Sequence, residues 1–370
     1  MQNTKNLHFY IILFKFMLSC TFVAKENERM FIMKVLVTGG AGFIGSHTVV
    51  ELLNDGSEVI IVDNYVNSNP EVLNRIRAIT GKDFLFYEAD LLDRPALEKI
   101  FAENEGIDAV IHFAGLKAVG ESVQQPIRYY HNNITGTLIL CDVMAKYNVK
   151  NIVFSSSATV YGSPKCVPIK EDFDLSTTNP YGETKLEIER ILKDITVADN
   201  EWSVSVLRYF NPIGAHESGM IGEAPNGIPN NLLPYVAQVA MGKREFLSVY
   251  GNDYDTHDGT GVRDYIHVVD LAIAHLKALD RTLKVKGIDY YNIGTGNGYS
   301  VLDIVKAYEA ASGRKVPYKI VDRRPGDIGE CYADATKAKE LLGWVATRDI
   351  NKMCVDLANW QEKNPDGYNS

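Results

Sequence analysis

Three glycines at three-residue spacing, Gly39, Gly42 and Gly45, separate a short strand-like run, Lys34–Val37, from an apolar-periodic run through Val49, Val50, Leu52 and Leu53 that closes at Gly56. A strand that turns through glycines into a helix leaves unpaired backbone N–H groups and a positive dipole end facing outward. The missing Cβ atoms let a pyrophosphate reach that backbone. Alone the pattern is weak, but here it has the required context: a strand before, a helix after and an acid beyond. The acid is Asp63, closing the run Val59–Val62 at 18 residues past Gly45, close to the ~20 expected of a carboxylate that grips an adenosine ribose. Asn64 and Tyr65 follow it, with no arginine to meet a 2′-phosphate. The spacing favours NAD over NADP.

The alternation continues along the chain. Strand-like runs at Phe84–Asp90, Asp108–Gly115, Asn151–Ser157 and Ser203–Phe210 are separated by helical patterns: one through Leu73, Ile76 and Ile79, then Asp93–Glu103, Tyr130–Tyr147 and about Tyr181–Asp199. This order predicts an α/β fold, a Rossmann-like doubly wound parallel sheet with ligands at the carboxyl ends of its strands. From Asn211 the chain turns rich in Gly, Pro and Asn and holds few clean periods, as expected of a smaller C-terminal substrate-binding lobe. The expected division is 33–210 for the dinucleotide domain and 211–370 for the lobe, with about 262–294 returning to the sheet. Amphipathic helices are expected at Leu302–Ala311 and Thr336–Leu342.

Residues 1–32 stand apart. Leu7–Ala24 is apolar save for Lys15 and has the length of a signal peptide or a membrane anchor. The favoured reading is a dispensable extension ahead of Met33 and a cytosolic protein, with secretion or membrane attachment the minor alternative. A net charge of −9 argues against sequence-independent binding to nucleic acid. The five cysteines are scattered without metal or redox spacing, which predicts free thiols, a reducing compartment and no bound metal.

The second focus is Pro180-Tyr181-Gly-Glu-Thr-Lys185. Residues four apart share a helix face. Bringing a tyrosine from its usual pKa of about 10 to about 7 requires roughly 4 kcal/mol of differential stabilisation of the phenolate. An ammonium about 5 Å away supplies roughly 3 kcal/mol at an effective dielectric near 20, and a nicotinamide cation in the same pocket can supply the remainder. A second Tyr-x-x-x-Lys, Tyr161–Lys165, contains Gly162 and Pro164 and cannot align its side chains on a helix. Ser157, at a strand end 24 residues before Tyr181, is within reach of a hydroxyl that Tyr181 deprotonates. Together with the glycine loop, these residues point to hydride chemistry at a secondary alcohol.

At this point the chain resembles the extended short-chain dehydrogenases/reductases, and among them the UDP-glucose 4-epimerases. The resemblance rests on Val37–His47, His112–Ser122, Phe154–Gly162, Leu207–Pro212, Gly227–Leu232, Gly259–His267 and Arg323–Asp327, and spans essentially everything from Met33 onward. It implies reversible interconversion of UDP-galactose and UDP-glucose in galactose metabolism, through a 4-keto sugar with tightly bound NAD, by a homodimer. It implies that Tyr181 takes the 4-hydroxyl proton, Ser157 shares it, and Lys185 tunes Tyr181 and binds the nicotinamide ribose. Cofactor contacts are implied for Gly39, Gly42, Phe43, Ile44, Gly45, Asp63, Asn64, Asp90, Leu91, Phe113, Ala114, Lys117, Asn132, Ser155 and Tyr209. Implied substrate contacts are Lys117, Asn211, Asn231, Leu232, Ser248, Tyr250, Arg263, Arg324 and Asp327, together with Ser157 and Tyr181. An ion pair of Arg324 with Asp322 or Asp327 is the plainer alternative for that arginine.

Cys331 falls on the wall expected to face the sugar, where the resemblance implies that a small residue admits a 2-N-acetyl group; UDP-N-acetylhexosamines become further expected substrates. The aromatic Tyr332 next to it would restrict the pocket if it occupied that place instead. Three other functions are disfavoured by the residues. A nucleotide-sugar dehydratase needs an Asp-Glu pair where this chain has Ala158 and Thr159. A net dehydrogenase conflicts with a cofactor that never leaves. A non-catalytic dinucleotide sensor has no need of Tyr181 and Lys185.

Overall fold

The computed structural model describes residues 32–369 apart from 226, 228, 230, 325 and 326. The apolar segment Leu7–Ala24 and Cys20 lie outside the described residues. Strands β1 (Lys34–Thr38), β2 (Glu58–Asp63), β3 (Leu85–Glu88), β4 (Ala109–His112), β5 (Asn151–Ser157) and β6 (Ser203–Tyr209) form the centre of the structure. With a later strand they make a seven-stranded parallel sheet. Both faces are covered, so successive strand residues feed different cores. Val35, Val37 and Ile61 pack with the helices Phe43–Asp55 and Val268–Thr282. Leu36, Ile60 and Val62 pack with the helices Arg94–Glu103, Gly136–Lys146 and Pro180–Ala198. The strand order β3-β2-β1-β4-β5-β6 reverses direction between β1 and β4, which opens the ligand crevice of a doubly wound sheet.

Beyond β6 come β7 (Asn211–Ile213), β8 (Leu247–Tyr250), β9 (Val262–His267), β10 (Gly287–Ile293), β11 (Gly298–Ser300), β12 (Tyr318–Val321) and β13 (Glu330–Cys331), of which β10 joins the parallel sheet. Of the segment 262–294, expected to return to the sheet, only the helix and β10 do so. β10 pairs with β6 at the sheet edge, whereas β9 pairs with β7, β11 and β13 in a second sheet. β8 and β12 form a separate two-stranded pair. A third core joins the helices Leu232–Ala240, Val301–Ser312 and Ile350–Lys363.

The helix expected at Tyr130–Tyr147 is interrupted. Short helices at Val119–Gln124 and Pro126–Tyr130 run into a π turn, His131–Thr135, before Gly136–Lys146. The π turn presents Asn133, whose amide clamps both the N–H and the carbonyl of Leu116, at 2.8 and 3.0 Å, and reaches Thr184 Oγ1 at 3.0 Å. An extra residue in a turn is a frequent device at functional sites. Here it ties the segment after β4 to the Pro180–Ala198 helix.

Candidate active site

The glycine loop closes tightly on itself. Gly39 has φ +70°, and a Cβ there would lie 2.8 Å from the backbone N of Ala114; one on Gly45 would lie 2.2 Å from the Gly39 carbonyl oxygen. The 13-residue helix beginning at Phe43 has Gly42 as N-cap and no side-chain cap, so its first N–H groups, Phe43 and Ile44 included, face the crevice. Asp63 braces this loop: Oδ2 accepts from Ala41 N at 3.0 Å, and Oδ1 accepts from Tyr65 N at 2.9 Å and Ser68 Oγ at 2.7 Å. Asn64 Nδ2 donates to Asp90 Oδ2 at 2.9 Å, joining the ends of β2 and β3, and Leu91 follows against Gly136. Phe113 and Ala114 extend from β4, and Ala114 N donates to Thr38 Oγ1 at 3.3 Å. Asn132 stands in the π turn with its amide on Asn133. The donor set suits a dinucleotide: a bare helix N-terminus without room for a Cβ, and a carboxylate at the end of the neighbouring strand.

Tyr181 occupies the first turn of its helix, which Asn179 caps by accepting from Gly182 N at 2.9 Å. The Ser157 side chain stands beside the Tyr181 phenol and opposes the rise of its pKa. Thr159 donates to Ser157 Oγ twice, from its backbone N at 3.2 Å and from Oγ1 at 3.0 Å. With both acceptor positions filled, the Ser157 proton is directed at the phenol. Lys185 is 5% exposed. Its Nζ donates to the Ser155 carbonyl at 2.7 Å and lies 5.0 Å from the Phe154 ring centroid and 5.9 Å from that of Tyr181. The Ser155 hydroxyl in turn bonds the Tyr209 hydroxyl.

Burial pushes the Tyr181 phenol up to about 12, opposed by Ser157, and burial brings Lys185 down to about 8, opposed by Glu189. The ammonium is fixed on a carbonyl and desolvated with the phenol, so Lys185 alone does not bring Tyr181 to neutrality. Desolvation outweighs the charge–charge gain assumed at a surface-like dielectric.

In the lobe, Arg263 on β9 bonds Asp327 through Nη2 and the Val262 carbonyl through Nη1 at 2.8 Å. Asp327 therefore pairs with Arg263, while Arg324 stacks its guanidinium 3.8 Å from the Tyr250 ring centroid. Ser248 and Tyr250 lie on β8, and Asn211 is exposed on β7. Lys117 and Asn231, the residue before Leu232 and its helix, meet on one carboxylate: Glu223 Oε1 accepts from both, at 3.2 and 2.8 Å. Glu223 carried no sequence signal. Cys331, like Ala158, packs against the cluster that holds Val160, Tyr161, Leu186 and Phe210. The Tyr332 ring lies against Gly298, on the other side of the strand. Burial pushes the Cys331 thiol up to about 11.

Fold and site define the class: an extended short-chain dehydrogenase/reductase. A family profile described as GDP-mannose 4,6 dehydratase matches residues 36–357. The UDP-glucose 4-epimerase of Bacillus subtilis is 67% identical over 338 residues, 91% of this chain and 99% of that protein. Two solved structures are similar over 90% of this chain. That of the UDP-glucose 4-epimerase of Bifidobacterium longum, in complex with NAD+ and UDP, superposes with a TM-score of 0.87 at 59% identity over all of that chain. That of the Stenotrophomonas maltophila enzyme, with bound NAD and formylated UDP-arabinopyranose, gives 0.88 at 48% over 99% of it. The chain belongs to the UDP-glucose 4-epimerase family.

Proposed function

We propose that this chain interconverts UDP-galactose and UDP-glucose by reversible epimerisation at C4, in galactose metabolism. The observation that carries this reading is the Tyr181 phenol, beside Ser157 and sharing a helix face with Lys185, at the carboxyl end of β5. Tyr181 takes the proton of the 4-hydroxyl and returns it, Ser157 shares that proton, and Thr159 orients Ser157. Lys185 contributes charge and a donor beside the nicotinamide ribose. Residues 33–210 hold NAD through the glycine loop, Asp63, Asn64, Asp90, Leu91, Phe113, Ala114, Lys117, Asn132, Ser155 and Tyr209. The chemistry supplied by bound NAD is reversible hydride acceptance at C4. Residues 211–370 hold the UDP moiety through Asn211, Asn231, Leu232, Ser248, Tyr250, Arg263, Arg324 and Asp327. Arginines suit a pyrophosphate by their charge-assisted, forked geometry.

Elimination of water is disfavoured because Ala158 and Thr159 offer neither acid nor base. The small Cys331, packed against the same apolar cluster as Ala158, favours a pocket that also accepts UDP-N-acetylglucosamine and UDP-N-acetylgalactosamine. A homodimer is supported by the exposed apolar residues Val123, Ile127, Tyr130 and Leu138 on neighbouring helical segments. Among the described residues no helix is long and apolar enough to cross a membrane. The deciding experiment incubates the purified protein with UDP-galactose without added NAD. UDP-glucose is the expected product; a dehydrated 4-keto sugar, or no product from protein that contains NAD, would overturn the reading.

A further inference from the structure

Glu189 lies one turn beyond Lys185 and two beyond Tyr181 on the same helix, and it is 2% exposed. Ser156 Oγ donates to its Oε1 at 2.5 Å. Arg208 on β6, also 2% exposed, reaches it through Nε at 3.0 and 3.2 Å and through Nη2 at 2.6 Å. Arg208 is itself held between the Tyr161 and Tyr290 rings, 5.1 and 4.7 Å from their centroids. A buried ion pair is weak grounds for a stabilising role, since apolar replacements often serve as well. This one has a particular address. Three consecutive residues of β5 each engage one residue of the helix: Ser155 through its carbonyl with Lys185, Ser156 with Glu189, and Ser157 with Tyr181.

We propose that Glu189 is a positioning residue for the reaction assigned above. It supports the charge of Lys185 and, through Ser156, fixes the strand end that carries Ser155 and Ser157 against the helix that carries Tyr181 and Lys185. The groups around Lys185 leave this task to Glu189. Burial holds Tyr181 on the same helix neutral until it acts as a base, Phe154 and Ser155 on β5 bring no charge, and Tyr209 on β6 is a buried phenol bonded to Ser155. His112 on β4 is held neutral by burial and by Lys185 itself. Arg208 is a cation, and Glu189 is the anion that opposes the desolvation of Lys185.

The test rests on the functional reading, so wild-type turnover of UDP-galactose is measured first. Glu189→Gln keeps the shape and removes the charge. Its kcat should fall about tenfold or more with KM within about threefold, and the alkaline fall of its pH profile should move about one unit lower, because the ammonium is lost earlier. Ser156→Ala should lower kcat while leaving the profile in place. A second readout does not need turnover. Lys185 is depressed from 10.5 to about 8, so wild-type stability rises as pH climbs between those values, and Glu189→Gln should begin that rise at lower pH in melting curves. A folded Glu189→Gln with kcat within about twofold, an unmoved profile and an unmoved melting rise would overturn the proposal. Should that variant not fold, Glu189→Asp and Ser156→Ala decide: reduced kcat supports the role, and wild-type kcat in both refutes it. A wild type inactive on UDP-galactose counts against the functional reading, and the melting curves then decide for Glu189.

Discussion

Burial pushes the Tyr181 phenol up to about 12 with Ser157 opposing, so the base needs a further positive charge beside it before it can take a proton. Tyr181→Phe deletes the proton acceptor and little volume, so it should fold and retain NAD while losing nearly all turnover. Activity within about tenfold of wild type, about 1.4 kcal/mol of barrier, would assign the base to another group. Cys331 tests specificity at the same scale. It packs against the same cluster as Ala158, the residue after Ser157, so Cys331→Tyr enlarges one wall of that cluster. Activity on the N-acetylated pair should collapse while the glucose/galactose reaction survives. Equal losses on both pairs, or a wild type inactive on N-acetylhexosamines, would refute the pocket-size argument. Residues with chemistry at fixed spacing, such as Asp63, Ser157, Tyr181 and Lys185, were legible in the sequence. Glu189 was legible in principle, as a lone acid among Leu186, Ile188 and Leu192 on the buried face. Glu223 was not, because its partners Lys117 and Asn231 come from distant segments.

The glycine loop makes an element-scale prediction with an internal control. A Cβ at Gly45 would stand 2.2 Å from the Gly39 carbonyl oxygen and 2.8 Å from Gly40 Cα, both backbone atoms that must move. Gly56, which ends the same helix with φ +96°, meets nothing within 4 Å. Gly45→Ala should therefore lose NAD on purification and destabilise the fold by about 1–3 kcal/mol. Gly56→Ala should destabilise through its backbone alone, by about 1 kcal/mol, and keep its cofactor. Equal NAD content in both variants would show that the loop tolerates displacement. Among the elements, the alternating strands and helices up to β6 were legible because strands buried in a covered sheet read as apolar runs set between long helical periods. The short strands β8, β11, β12 and β13 were not, since two to four residues carry no period and their pairing is decided by distant partners. The helix Ile350–Lys363 carries a readable signal, with Met353, Cys354, Leu357, Ala358 and Trp360 marking its buried stripe and Asp349 capping it. The π turn has no signature in apolar spacing; the Asn133 clamp on Leu116 is a tertiary contact.

Across the whole molecule, the buried histidines set how the fold responds to acid. His47 follows the glycine loop, with Nδ1 on the Phe43 carbonyl at 2.7 Å; His112 lies between Thr38 and Thr137 on β4; and His275 lies under Phe113 and Tyr209, with Nδ1 on the Leu271 carbonyl at 2.8 Å. The Nε2 atoms of His47 and His275 are buried without a hydrogen-bond partner. Burial brings these three imidazoles down to about 3, 3 and 4, against 6.5 for an ordinary histidine. Because the folded values are depressed, the stability they permit is complete above about 6.5 and is lost as pH falls toward the folded values. At about pH 5 each costs about 2 kcal/mol, since the unfolded chain takes up the proton that the folded chain refuses. Three such groups together reach about 6 kcal/mol, a large share of a net stability of about 5–15 kcal/mol. The melting temperature should therefore fall steeply from about pH 6.5 to 5. His275→Leu replaces an unpaired ring nitrogen among aromatic neighbours with an apolar side chain. Its melting temperature should fall less steeply over that interval, and curves parallel to wild type would show that the acid sensitivity comes from the carboxylates instead.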